Sequence, residues 1–342
     1  MRIKTTLIGI MLLLSAHLNV KSQDICPYFG VDISGAEWGA SEQNLYYPTP
    51  EQLAYYQSKG IRLIRFAFRW ETIQPALGGE LNQAELDRLK KLVKNAANSN
   101  IYVILDLHNY CRYKIDDSEY IIGSDKLPVK YIKDLWTRLA EEFKSFDNIY
   151  GYGIMNEPHN MLPGTPWFNI AQEIINGIRT RDTGTTIIVG GDSWSSAEGW
   201  AKNSDNLKNL VDPNNNIIYE AHQYFDHDSS GKYKASYDDE GAYPNIGVDR
   251  VKPFIDWLKE NKVRGFIGEY GVPGDDPRWL TVLDNFLKYL KSNKINGTYW
   301  AGGPRWGNYK LSIEPDQNGD KPQMSIVEKY LTADPNCSNS NR

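Results

Sequence analysis

The chain has 342 residues, 38 of them basic and 43 acidic, for a net charge of -5. With 41% hydrophobic residues, 24% charged residues and three cysteines, it is composed as a globular protein with a large core, and neither disordered nor disulfide-stapled. The acidic balance and the lack of a Lys/Arg run exclude nucleic acid and anionic membrane as expected partners. Ten Trp and 22 Tyr are many for one domain, so flat rings must fill the core or line a site for a ligand with apolar faces.

At the N-terminus, Arg2 and Lys4 precede the apolar run Leu7 to Leu14, and Val20 and Ser22 suit a signal peptidase. Residues 1–22 are therefore expected to be a signal peptide, with residues 23–342 forming one working domain. The run falls short of the roughly 20 apolar residues a membrane span needs. Its removal predicts an exported product, secreted or periplasmic, with a net charge of about -8. Gln23, Asp24 and Ile25 before Cys26 are not the small residues of a lipoprotein site, which argues against a lipid anchor. Two readings of the cysteines stay open: a staple between Cys26 and Cys337 that leaves Cys111 odd, or three free thiols.

Eight β-rich apolar runs follow, at Tyr28 to Ser34, Ile61 to Phe68, Ile101 to His108, Ile149 to Glu157, Thr185 to Asp192, Ile217 to Tyr224, Arg264 to Gly271 and Ile295 to Gly303. Their starts lie 31 to 48 residues apart, which leaves room for a crossover between parallel strands. Helical faces occupy several gaps: Leu86, Leu89, Val93 and Ala96; Val251, Phe254, Ile255 and Leu258; Leu280, Leu283, Leu287 and Leu290. The pattern predicts an α/β fold, a (β/α)8 TIM barrel in a single domain. A doubly wound sheet is the competitor, but Gly35-Ala36-Glu37-Trp38-Gly39 after the first run has the wrong spacing for a nucleotide-binding turn.

In such a barrel, reactive groups gather at the carboxyl ends of the strands. The runs contain or end in Arg65; Asp106, His108 and Asn109; Asn156 and Glu157; Asp192 and Trp194; His222 and Tyr224; Glu269 and Tyr270; and Trp300. Glu157 and Glu269 stand out as a carboxylate pair three strands apart, and such a pair cleaves an acetal with no metal or organic cofactor. The bland alternative is a pair of salt-bridged structural glutamates. Arg65, His222 and Tyr224 are placed to keep Glu269 ionised, and Asn156 to bind a sugar hydroxyl. Trp300, Trp38, Trp194 and Trp306 are expected to stack on sugar rings, whereas Trp70, Trp136 and Trp257 have core patterns. Metal chemistry has weaker support, because no H-E-x-x-H motif or paired strand-end His is present; Asp106 with His108, or Asp226 with His227, remain the only ligand pairs suggested. No strand-end Lys or Gly-x-Ser-x-Gly elbow serves Schiff-base or serine chemistry.

Gly153-Ile154-Met155-Asn156-Glu157-Pro158 and Gly268-Glu269-Tyr270-Gly271, with Gly30-Val31-Asp32-Ile33-Ser34-Gly35, Asp106-Leu107-His108-Asn109-Tyr110, His222-Gln223-Tyr224 and Tyr299-Trp300, resemble the blocks of glycoside hydrolase family 5, the cellulase family, in order along the mature chain. The resemblance implies a retaining glycosidase, with Glu157 as acid/base and Glu269 as nucleophile. Arg65, His108, Asn109, Asn156, His222, Tyr224, Trp300, Trp38 and Trp194 would bind substrate or support the pair, with no metal and no cofactor. Asn109-Tyr110 and the loop from Asp226 to Gly231 are most similar to the endo-β-1,4-glucanase branch. A monomer acting on β-glucan polysaccharide or oligosaccharide is the expectation; mannan, xyloglucan and mixed-linkage glucan are alternatives. A glucan-binding barrel without turnover is the rival from another class.

Overall fold

The computed structural model describes residues 29–38 and 46–331. The expected signal peptide and both Cys26 and Cys337 lie outside the described residues, while Cys111 is buried and free. The strands are β1 (Phe29–Ile33), β2 (Leu63–Phe68), β3 (Tyr102–Leu107), β4 (Arg112–Ile115), β5 (Ser118–Ile121), β6 (Ile149–Gly153), β7 (Ile187–Gly190), β8 (Ile217–His222), β9 (Arg264–Tyr270) and β10 (Asn296–Gly302). Eight of them close a barrel in the order β1-β10-β9-β8-β7-β6-β3-β2, and every pairing in it is parallel. This is the predicted (β/α)8 architecture. Its strands were visible as apolar runs because helices outside and packed side chains inside bury both faces. The exception is β4 with β5, an antiparallel hairpin after β3 whose strands, four residues each, are too short and too charged to stand out as apolar runs.

Helices α1 (Pro50–Ser58), α2 (Trp70–Ile73), α3 (Gln83–Asn98), α4 (Lys130–Phe143), α5 (Trp167–Arg179), α6 (Trp200–Asn203), α7 (Ile246–Asn261), α8 (Pro277–Ser292) and α9 (Pro322–Leu331) surround the barrel. Local chemistry starts several of them: Thr49 and Gln52 form a capping box on α1, the Asn82 side chain caps α3, and Asp276 caps α8 ahead of Pro277. The faces of α3 and α7 are buried as their periodicity predicts. On α8, Leu280 is only half-buried, and Trp279, Val282 and Phe286 join Leu283, Leu287 and Leu290 in the core. No helix of the described residues is long and apolar enough to cross a membrane.

Inside the barrel, side chains alternate along each strand, and this stacks the interior in layers. Leu63, Ile104, Ile188, Ile218 and Phe266 form an apolar floor, with Tyr150 packed against it. Two residues nearer the mouth stand Arg65, Asp106, Gly190, Glu220 and Gly268. The apolar floor thus carries a charged layer, and the mouth lies above it.

Trp70, Trp136 and Trp257 are buried in the wall as expected. The Trp136 indole also donates to the Ile154 carbonyl at 2.9 Å, just beyond the end of β6. Trp136→Ala should lower the unfolding free energy by roughly 3–5 kcal/mol, read from the urea midpoint. A shift below about 1 kcal/mol would mean that this ring does not brace the wall.

Candidate active site

Arg65 on β2 is fully buried and is the hub of the charged layer. Its Nη1 lies 2.5 Å from Asp32 Oδ2 and 3.4 Å from Glu269 Oε1. Its Nη2 lies 2.6 Å from Asn156 Oδ1 and 2.9 Å from both Asp106 Oδ1 and Glu220 Oε1. Burial alone would lower the pKa of this guanidinium, but the four carboxylates outweigh it, so the side chain stays charged. Asp32 is the opposite case: burial holds its pKa well above the usual range, despite Arg65 and with help from Glu269 and Asp106.

Glu269 sits at the mouth end of β9. Strict alternation would point it away from Gly268's interior side, but the β8–β9 register shifts between Ala221 and His222, leaving His222 opposite Glu269. An irregularity of this kind re-aims a side chain. Here it brings the carboxylate to the Tyr224 hydroxyl at 2.7 Å, to Arg65 at 3.4 Å and to His222 Nδ1 at 3.6 Å. Burial pushes the Glu269 carboxyl up, and so does Glu157; His222, Arg65 and His108 oppose them.

His222 joins three carboxylates. Its Nδ1 is 2.8 Å from Glu157 Oε1 and its Nε2 is 2.9 Å from Glu220 Oε1. Burial disfavours a charge on the ring, but Glu269, Glu157 and Glu220 reverse the balance and push its pKa up to about 10. Glu220, drawn down by Arg65 and His222 against its own burial, is ionised below them.

Glu157 stands beyond β6 in the left-handed backbone region, with φ 43°. That conformation is disfavoured for a side chain of this size and must be held by its surroundings. The flanking chain supplies the hold: Asn156 N donates to Leu107 O at 2.8 Å, Tyr110 N to Asn156 O at 3.1 Å, and Trp194 N to Pro158 O at 3.1 Å. Asn156 is fixed between Arg65 and His108 Nε2, the latter at 3.1 Å, and His108 Nδ1 meets Asp106 Oδ2 at 2.8 Å. Asn109 faces elsewhere. Its side chain accepts from Trp70 N and donates to Glu71 and to the Arg112 carbonyl, tying together the loops after β2 and β3.

The aromatic residues fall on two sides of the mouth. Trp38, Trp300 and Trp306 line a cavity of about 350 Å³ together with Glu37, Arg69, His108 and Tyr110, on the side of β1, β2, β3 and β10. Trp300 is offset-stacked on His108, with centroids 5.6 Å apart, and Trp38 meets Trp306 edge-on at 4.4 Å. Trp194, 47% exposed, lies across the mouth after β7 and stacks on His159 at 4.4 Å. The two sets therefore flank the glutamates from opposite ends of an open groove.

One oxygen each of Glu157 and Glu269 and one nitrogen of His222 lie within 4.8 Å of one another. Such a trio has the donors to hold a metal ion, but both His222 nitrogens face carboxylates, and a metal would have to displace that proton-sharing chain. The cellulase model, glycosyl hydrolase family 5, matches residues 20–305. The chain belongs to glycosyl hydrolase family 5. Among family members, the probable endo-β-1,4-glucanase B of Neosartorya fischeri is 34% identical over 323 residues, covering 91% of this chain and 93% of the relative. The Pseudomonas stutzeri endoglucanase Cel5A in complex with cellobiose superposes with a TM-score of 0.84 at 42% identity, over 90% of this chain and 93% of that one. XacCel5A in complex with cellopentaose gives 0.82 at 35% identity, over 89% and 99%. The protein is thus a glycoside hydrolase.

Sequence reasoning did not single out Glu220, Glu37 or His159 in this family 5 barrel, and it named Tyr110 only as part of a family block. Glu220 was detectable: it precedes His222 by two residues in a buried strand and so shares its inward face.

Two expectations follow from the His222 chain. At pH 7.5 both ring nitrogens should carry protons by 15N NMR and titrate near pH 10; a ring that titrates near pH 6.5 contradicts the chain. A raised folded-state pKa also means that the stabilisation is complete below the unfolded value of about 6.5 and is lost as pH rises through about 10. Gly268→Ala supplies a second check, because its Cβ would meet Glu220 Oε1 at 2.0 Å and His222 Nε2 at 2.8 Å. Hydrolysis should fall by roughly 100-fold while the fold persists, on the scale of a 1 Å misplacement. Wild-type rates in this variant would show that the Glu220–His222 link does not position the site.

Proposed function

We propose that the protein is an exported endo-β-1,4-glucanase that cleaves glucan chains with retention, through Glu269 as nucleophile and Glu157 as acid and base. The observation that carries this reading is the carboxylate pair with His222 between them, in an open groove flanked by aromatic rings. The names and bound sugars of the relatives support the substrate, and the N-terminal segment supports export.

The surroundings of the two glutamates divide the work. Burial and Glu157 push the carboxyl of Glu269 up, and the charged His222 ring, the Arg65 guanidinium and the Tyr224 hydroxyl that it faces oppose them in favour of the carboxylate a nucleophile must be. It attacks the anomeric carbon as the glycosidic C–O bond breaks. Glu157, with 17% of its side chain exposed, is the more open of the two and delivers its proton to the departing oxygen. His222 Nδ1 then donates to the carboxylate that Glu157 becomes. Water deprotonated by the same Glu157 opens the glycosyl-enzyme, and two inversions give net retention. One oxygen of each carboxyl group lies within 4.8 Å of the other's, which leaves little room for the water an inverting pair needs between them.

The leaving sugar then lies on the Glu157 side, over His159 and Trp194, and the sugar that is attacked lies toward Trp300, Trp306 and Trp38. No step uses a metal, so activity should survive EDTA.

Glu157→Ala should lose most activity on polysaccharide but still glycosylate from an activated aryl leaving group that needs no proton, and azide should give it a β-glycosyl azide. Glu269→Ala should lose both activities by several orders of magnitude, with azide rescuing it to the α product. Exchanged azide products would swap the two roles. Near-full activity in both variants would move the site elsewhere. Product analysis on carboxymethylcellulose, barley glucan, xyloglucan, glucomannan and mannan tests the substrate: turnover confined to mannan would overturn the glucanase reading.

A further inference from the structure

Glu37 stands in the loop after β1 and is 6% exposed. One of its oxygens accepts from the Ser34 hydroxyl, and Oε2 accepts from Gly35 N at 2.5 Å. No basic side chain pairs with it among the described residues; Arg69, which lines the same cavity, has its Nε 3.4 Å from Glu71 instead. A buried carboxylate without a cation is expensive unless its lone pairs are engaged. Two donors leave about half of its roughly four acceptor positions open.

Those open positions belong to the groove. Glu37 shares the cavity with Trp38, Trp300, Trp306 and His108, and its charge contributes to raising the His108 pKa after Asp106 and Glu269, against burial. A pyranose ring presents apolar C–H faces and a rim of hydroxyl donors. The cavity presents the complement, with indole faces for the ring and one anionic acceptor for the rim.

We infer that Glu37 is a specificity-determining residue that accepts hydrogen bonds from the hydroxyls of the glucose next to the attacked ring, on the side away from the leaving group. This rests on the glucanase reading above. It gives a use to a buried acid that no basic side chain among the described residues pairs with. It also adds a polar anchor to the indole faces on the side opposite Trp194, so that a chain is registered there by hydrogen bonds as well as by stacking.

The test compares an aryl β-cellobioside, which fills both rings, with the matching aryl β-glucoside, which fills only the attacked one. Wild-type protein that turns over neither glucoside nor cellulose chains overturns the glucanase reading and this inference with it. With an active wild type, Glu37→Gln should lower kcat/KM on the cellobioside by roughly 10- to 100-fold, the scale of a hydrogen bond to a charged group, and leave the glucoside rate within about twofold. Ser34→Ala separates anchoring from loop tethering, because it removes a tether but keeps the carboxylate; it should behave much closer to wild type. Equal losses on both substrates, no loss on either, or matching losses in the Ser34 and Glu37 variants would reduce Glu37 to a loop tether and overturn the inference. A cellobiose or cellotriose complex of the wild-type protein is independent of how the variants fold. It should place a sugar hydroxyl within about 3.2 Å of a Glu37 oxygen, and an occupied groove with Glu37 facing no sugar refutes the inference.

Discussion

Everything at the mouth of this barrel depends on one buried guanidinium. Arg65 lies in the interior with no solvent contact, where an unpaired cation would be untenable, and carboxylates from β1, β3, β8 and β9 converge on it with the Asn156 amide beyond β6. Ion pairs of this kind add little net stability, because desolvation offsets most of their attraction. Their value lies in geometry. A planar group with fixed donors ties five parts of the barrel to one plane, so Glu269, Glu220 and Asn156 are placed relative to one another before any ligand enters. The apolar floor of Leu63, Ile104, Ile188, Ile218 and Phe266 keeps water from below, and this strengthens each of those interactions.

From that plane the order propagates upward in two chains. One runs from Arg65 through Glu220 to His222 and on to Glu157; the other runs through Asn156 and Asp106 to His108. Both use histidine as the connector, because its two nitrogens can face different partners at once. The strained turn at Glu157 and the left-handed run Ser193-Trp194-Ser195 are tied into the same frame, since His222 N donates to Ser195 O and Trp194 N to Pro158 O. Exposed Trp194 is thus held by backbone contacts from the residues that hold the glutamates, which couples the proposed sugar platform to the proposed reacting centre.

How much of this could be read from residues alone follows from which forces leave a periodic trace. The eight barrel strands could, because burial on both faces writes an uninterrupted apolar run, and the strand ends could, because Asn156, Glu157, His222 and Glu269 interrupt those runs in a barrel that needs no such groups for packing. The β4–β5 hairpin could not: its two strands are four residues each, too short for Tyr113, Ile115, Tyr120 and Ile121 to stand out among the charged residues around them, and left-handed Asp116 turns the chain between them. Nor could the re-aiming of Glu269, because a register shift between Ala221 and His222 is a property of two strands together. Asn109 was placed at the site by its position after His108, and its hydrogen bonds turn it toward the neighbouring loops. Glu37 was hidden for a related reason: a lone acid in a loop carries no pattern, and only the cavity that forms around it marks it out.

The charge balance at the mouth makes sense once the reaction is considered as a whole. Glu37, Glu157, Glu220, Glu269, Asp32 and Asp106 crowd a region where Arg65 and His222 are the buried cations and Arg69 lines the rim, and burial holds Asp32 well above the usual carboxyl pKa. A neutral sugar enters such a field without penalty, whereas an anionic ligand is repelled. In the proposed reaction the sugar becomes cation-like at the transition state, with charge spread over the ring oxygen and the anomeric carbon. An acidic, dry and rigid surround stabilises that charge more than it stabilises the neutral ground state, and this difference is the one that accelerates a reaction. The arrangement that makes Arg65 indispensable as a scaffold therefore also sets a limit on it: one more cation in this layer would steady the carboxylates further and weaken the field that the transition state requires.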